Sequence, residues 1–161
     1  MTVPCRPFAD PSEVTRLIAD LTARTAIFDV EPLIALWDTD QRVLGNGVTA
    51  ILARLGADPG QLRHVVFATN SARRPAVLPA LDGIQVSYLA LARKPLRTTP
   101  YRDLPTPGVV IGDQIATDGI LAWRLGYTFL RYTPDTGHIP LGPRVMGGLG
   151  QPLRKLLFHN S

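Results

Sequence analysis

Four polar signals follow one another along the chain: Asp29 with Glu31, Thr69-Asn70, Lys94, and Gly112-Asp113 with Asp118. Three of them stand directly behind apolar runs, Ala26-Ile27-Phe28, Val65-Val66-Phe67-Ala68 and Val109-Val110-Ile111. If the Asp29 and Asp113 runs are neighbouring strands, two carboxylates converge in one crevice and repel unless a cation lies between them. Mg²⁺ is the natural choice, because it is hard, takes oxygen ligands and keeps waters or phosphate oxygens in its shell. The predicted chemistry is therefore that of a carboxylate and metal centre at strand ends.

The elements that must position these groups read as alternating strands and helices. Each of the three runs is continuous rather than alternating, the pattern of a strand covered on both faces. A polar residue ending such a strand lies at the carboxyl edge of a parallel sheet, where open α/β folds bind ligands. Ahead of them, Asp10-Pro11-Ser12-Glu13 opens a helix over 10–24, with Asp10 as N-cap and Val14, Leu17, Ile18 and Leu21 as its apolar face. Trp37 to Asn46 reads as a polar excursion too small for a cap domain, and Val48, Ile51, Leu52 and Leu55 mark a helix stopped by Gly56. Pro75 to Leu81 reads as a short helix, Val86 to Leu89 as a strand, Ile115 to Leu125 as a helix closed by Gly126, and Tyr127 to Tyr132 as a strand. Pro140 to Gly150 is loop-like, and Pro152 to Phe158 reads as a terminal helix. The predicted fold is one doubly wound α/β domain over 1–161: a Rossmann-like three-layer sandwich with a mainly parallel sheet, an N-terminal helix over 10–24, a core over 25–134, and a C-terminal loop and helix over 135–161.

Composition narrows the function classes. The 161 residues are 45% hydrophobic and 19% charged, which argues against disorder. The single Cys5 allows no internal disulfide and no cysteine metal site, so a reducing cytoplasm is expected. No apolar stretch approaches the roughly 18 residues of a membrane span, and Pro4, Arg6 and Pro7 interrupt any secretory h-region. A net charge of +4 suits anionic partners without selecting one, and no nucleic-acid motif is evident. Arg73-Arg74 and Arg93-Lys94 flank the expected crevice, as attractors of a phosphorylated headgroup or as a solvated rim. Arg154-Lys155 beside Leu153, Leu156, Leu157 and Phe158 reads either as a peripheral membrane contact or as a helix packed on the domain. Gly45-x-Gly47-x-x-Ala50 is rejected as a dinucleotide fingerprint because no apolar strand precedes it. His64, His138 and His159 lack ligand spacing, and Trp123 is expected in the core.

Taken together, Asp29-x-Glu31, Thr69-Asn70, Ala92-Arg93-Lys94-Pro95 and Gly112-Asp113-Gln114-x-x-Thr117-Asp118 resemble the four motifs of the haloacid dehalogenase (HAD) superfamily. They are most similar to the YqeG-type phosphatases of subfamily IIIA. The resemblance spans roughly Leu17 to Pro134. It implies a HAD-like sheet with minimal or no cap, and Mg²⁺-dependent phosphomonoester hydrolysis through an aspartyl-phosphate, with phosphatidylglycerophosphate as the leading substrate. It implies that Asp29 is the nucleophile, that Glu31 is the acid/base, and that Asp29, Asp113 and the Glu31 carbonyl hold Mg²⁺. Thr69 and the amides of Val30, Glu31 and Asn70 would bond phosphate oxygens, Lys94 would neutralise their charge, and Asp118 would orient Lys94 or a metal-bound water. A response-regulator receiver places its Lys last, whereas Lys94 here precedes Asp113.

The chain departs from the family's first motif, Asp-x-Asp-Asn-Thr, by reading Asp29-Val30-Glu31-Pro32-Leu33. Glu31 adds a methylene, a displacement of up to ~1.5 Å, and Pro32 removes a backbone donor from the turn. Two classes stay open: an active but altered phosphatase on a lipid headgroup or phosphoprotein, and a phosphate- and metal-binding interaction module with impaired turnover.

Overall fold

The computed structural model describes residues 2–134 and 151–160. Its seven strands are β1 (Val3–Phe8), β2 (Thr25–Asp29), β3 (His64–Ala68), β4 (Gln85–Leu89), β5 (Gly108–Gly112), β6 (Thr128–Tyr132) and β7 (Phe158–Asn160). They form one sheet in the order β4-β3-β2-β5-β6-β1-β7, and every pairing is parallel. Among the described residues the α-helices are α1 (Val14–Asp20), α2 (Gln41–Ala57), α3 (Ile120–Leu125) and α4 (Arg154–Leu157). This is a Rossmann-like three-layer α/β fold.

Alternate residues of each central strand serve opposite faces, which explains the continuous apolar runs. Ala26, Phe28, Val65, Phe67, Val109 and Ile111 pack with Val14 and Ile18 of α1 and Leu44, Val48, Ile51, Leu52 and Leu55 of α2. Ile27, Val66, Val110 and Phe129 face the other way, against Leu121 and Ala122 of α3, Tyr101, Tyr127 and Phe158. On the first face the Phe28 and Phe67 rings stack at 5.6 Å between centroids.

From β2 the chain runs outward through β3 and β4, then returns to β5 on the other side of β2. Register pairs Phe28 with both Phe67 and Ile111, so the carboxyl ends of β2, β3 and β5 are level. The crevice at this reversal of strand order is where doubly wound sheets take ligands.

Several boundaries differ from the sequence expectations. The N-terminal helix is shorter than 10–24. Asp10 caps as expected, its Oδ1 accepting from Ser12 N at 2.8 Å, but Pro11–Glu13 is a 3₁₀ turn, α1 ends at Asp20, and Thr22 has φ 49°. Helix α2 begins inside the supposed polar excursion, with Asp40 Oδ1 accepting from Val43 N at 2.8 Å, and runs past Gly56 to Ala57. No helix forms over 75–81, where Pro75 and Pro79 interrupt any helical ladder and only an isolated bridge, Leu81 to Ile84, follows.

Two strands escaped the sequence reading. In β1, Pro4 is in register only with β7 and Pro7 only with β6, so each proline has a strand on one side alone. At the other end α4 stops at Leu157, and Phe158 turns extended to bury its ring against Phe129 at 5.5 Å. The expected Pro140 to Gly150 loop and His138 lie outside the described residues. Trp123, expected in the core, is 38% exposed. Among the described residues no helix is long and apolar enough to cross a membrane.

Candidate active site

At the end of β2, Asp29 is 8% exposed, and beside it stand Thr69 after β3 and Asp113 after β5. Lys94 reaches into this crevice from the loop after β4. Its Nζ lies 2.7 Å from Asp29 Oδ1 and 2.7 Å from Asp118 Oδ1, with both Lys94 and Asp118 buried. Burial alone would lower the lysine's pKa, but the carboxylates of Asp118 and Asp29 outweigh it and raise it above the ordinary value.

The local backbone explains how these groups meet. Asn70 grips Lys94 from both sides: its Oδ1 accepts from Lys94 N at 2.7 Å and its Nδ2 donates to Lys94 O at 3.0 Å. Ala92 N donates to Thr69 O at 2.9 Å, which ties the lysine loop to the end of β3. Leu91 and Arg93 adopt φ 51° and 55° in the same loop. On the other side, Ile115–Gly119 winds as a single π-turn, with the amides of Asp118 and Gly119 both donating to Gln114 O. That turn carries the Asp118 side chain back over the end of β5, where a Cβ on Gly112 would lie 2.3 Å from Asp118 Oδ2. Only glycine leaves that room.

The carboxylates of Asp29, Asp113 and Asp118 have one oxygen each within 4.8 Å of one another. Burial first, then the neighbouring Asp118 charge, pushes Asp113 up to about 7 and raises Asp29 well above the usual carboxylate range. Lys94 neutralises part of this cluster. Asp113 Oδ1, however, is buried with no hydrogen-bond partner among the described residues. An orphaned acceptor beside a second buried carboxylate fits a hard, oxygen-seeking cation. Asp29 and Asp113 are the residues that could hold one: Lys94 takes one oxygen of Asp29 and one of Asp118, but the second oxygen of Asp118 also accepts from Gln114 N at 3.4 Å.

Glu31 belongs to a different set of contacts. Thr69 Oγ1 donates to its Oε2 at 2.6 Å, and Ser71 Oγ and Arg73 Nη1 approach its Oε1 at 3.3 Å each. Arg73 also donates to Leu36 O and Thr39 O at 2.8 Å, strapping the segment between β2 and α2 against the site. The expectation that Arg73 attracts a headgroup or stands solvated on the rim is therefore corrected: its guanidinium is consumed within the protein. Sequence did not pair Ser71 or Arg73 with Glu31, since these contacts join positions about 40 apart in the chain. The same segment is held to α2 by Gly47, where a Cβ would lie 2.2 Å from Ile34 O.

A cavity of about 200 Å³ opens above these groups, lined by Asp29, Glu31, Thr69, Asn70, Lys94 and Trp37 among others. Asp29, Glu31, Thr69, Asn70 and Lys94 thus share one wall, while Asp113 lies outside that lining and meets the site through the carboxylate cluster. Val30 is fully buried and does not line the cavity. The arrangement offers a buried carboxylate, a fixed ammonium, a hydroxyl and a place for a cation, the parts needed to bind and attack an anionic oxygen ester. Compared with models of protein families, with curated proteins and with solved structures, the chain finds no match, and the functional reading stands on this geometry.

Proposed function

We propose that this protein is a Mg²⁺-dependent phosphomonoesterase of HAD type working through an aspartyl-phosphate. The observation that carries the reading is the Lys94 ammonium shared between Asp29 and Asp118 at the topological switch point, with the unpartnered Asp113 oxygen beside it. Asp29 attacks phosphorus, the phosphorus to alkoxide bond breaks, and the alkoxide takes a proton. Water then attacks the phosphorus of the aspartyl-phosphate and gives up a proton, the bond from phosphorus to the Asp29 oxygen breaks, and the carboxylate is restored as inorganic phosphate leaves. Lys94 and the Thr69 hydroxyl stabilise the charge that builds on the phosphoryl oxygens. Asp29 and Asp113, with the Glu31 carbonyl, would hold Mg²⁺, which supplies charge neutralisation at the phosphoryl group when bound. Asp118 fixes Lys94.

Glu31 is the group available to protonate the alkoxide and then to activate water. Its contacts with Thr69, Ser71 and Arg73 favour a second reading, a phosphate-binding module with slow turnover, because both of its oxygens are already engaged inside the protein. Phosphate release from glycerol phosphate and p-nitrophenyl phosphate, with Mg²⁺ and with chelator, separates the two. Release that needs the metal and rises in Glu31→Asp supports the enzyme. Metal and phosphate binding with no release from either chain supports the module.

A further inference from the structure

A second cavity, of about 390 Å³, adjoins the first and shares Trp37 with it. We propose that it is the leaving-group subsite, and that it takes an alcohol bearing a flat ring of nucleobase size. The inference rests on the phosphomonoesterase reading and names its substrate class. Arg73 lines this second cavity and touches Glu31 Oε1 at 3.3 Å, so the space begins one side chain from the group that would protonate the leaving oxygen. Its walls supply what such a ring needs. The half-buried Trp37 offers an indole face, Leu44 gives an apolar floor, and the exposed Asp38 and Gln41 bring an acceptor and an amide. Arg74, exposed at its edge, adds positive charge and a second flat surface.

The subsite is also held in shape before any ligand arrives. Arg73 bonds the carbonyls of Leu36 and Thr39 and the Thr39 hydroxyl, and Asp40 caps α2 immediately afterwards. Trp37 thus stands on a strapped segment, which limits the ordering cost of binding. Interactions made there with the alcohol keep the phosphoryl group aligned on Asp29.

The test compares kcat/KM for adenosine monophosphate and for glycerol phosphate, a ring-free ester, in the native chain, Trp37→Ala and Trp37→Phe. The subsite predicts that the ratio between the two esters falls roughly 5- to 100-fold in Trp37→Ala, the usual value of one stacked base, and largely returns in Trp37→Phe. A ratio unchanged in Trp37→Ala, with both esters still hydrolysed, overturns the subsite and leaves the phosphomonoesterase standing. If neither ester is hydrolysed, the phosphomonoesterase reading fails and adenosine binding decides the cavity. In a Trp123→Phe chain, where Trp37 is the remaining indole, saturable quenching of fluorescence by adenosine supports it, and no quenching overturns it.

Discussion

The two acidic branches of the site are built on opposite plans. Around Asp29, Asp113 and Asp118, three carboxylates crowd together with one ammonium and one oxygen left unpartnered. Around Glu31, a single carboxylate collects donors from Thr69, Ser71 and Arg73. The first branch crowds more carboxylates than cations into a buried place, a costly arrangement that proton uptake or a bound cation relieves. The second is satisfied, and through Arg73 it organises the segment that carries Trp37 at the edge of both cavities. Charge chemistry and shape thus lie on opposite sides of β2, toward β5 and toward β3.

The largest effect that would test this division falls on Asp29. Asp29→Asn keeps the shape and removes the proposed nucleophile, so phosphate release drops by about 10³-fold or more, while the melting temperature holds or rises because a buried charge is gone. A variant that loses its fold along with its activity would assign Asp29 a structural role instead. Lys94→Met comes next. It strands Asp29 and Asp118 without their shared cation, and unfolding free energy falls by about 3 kcal/mol in denaturant melts, along with turnover. Gly112→Ala drives a Cβ into the Asp118 carboxylate and should weaken Lys94 placement and stability together, by about 2 kcal/mol.

On the other branch, Arg73→Lys retains the charge but cannot reach Glu31, Leu36 and Thr39 at once. Its expected loss is smaller, about tenfold in kcat, with the unfolding midpoint little changed. Loss of all activity there would erase the distinction between the branches. The smallest effect is one of pH. With Asp113 raised to about 7, protons compete with a divalent cation, and Mg²⁺ affinity measured by calorimetry should fall as pH drops below that value. The sign for stability is the reverse. A carboxyl raised from 3.8 to about 7 favours the metal-free fold most fully below 3.8, and that contribution is lost as pH rises through 7. The metal-free chain should therefore melt lower at pH 8 than at pH 6, and Mg²⁺ should close the difference.

What the sequence disclosed follows from which forces act locally. Strands β2, β3 and β5 were legible because helices and loops cover both faces, which demands unbroken apolar runs such as Val65 to Ala68. Asp29, Thr69, Lys94 and Asp113 were legible as groups standing at or near the ends of such runs. Strand β1 was hidden by Pro4 and Pro7, whose usual meaning changes when each pairs on one side only. Strand β7 was hidden because Phe158 is extended by a contact with Phe129, a residue distant in the chain. The same reason concealed Arg73 and Ser71. Nothing near Arg73 in sequence announces Glu31, and the part of its loop that follows, 75–81, was read as a helix.

The central claim is that Asp29 becomes phosphorylated, and it can be tested with an ester that needs no acid catalyst. In Glu31→Gln, p-nitrophenyl phosphate still expels its good leaving group, but activation of water is lost, so the covalent species should accumulate. Acid quenching followed by peptide mass measurement should find one phosphoryl group on the Asp29 peptide when Mg²⁺ is present and none in Glu31→Gln carrying Asp29→Asn. Nitrophenol release that continues in the double variant, with no mass added at Asp29, would contradict the account.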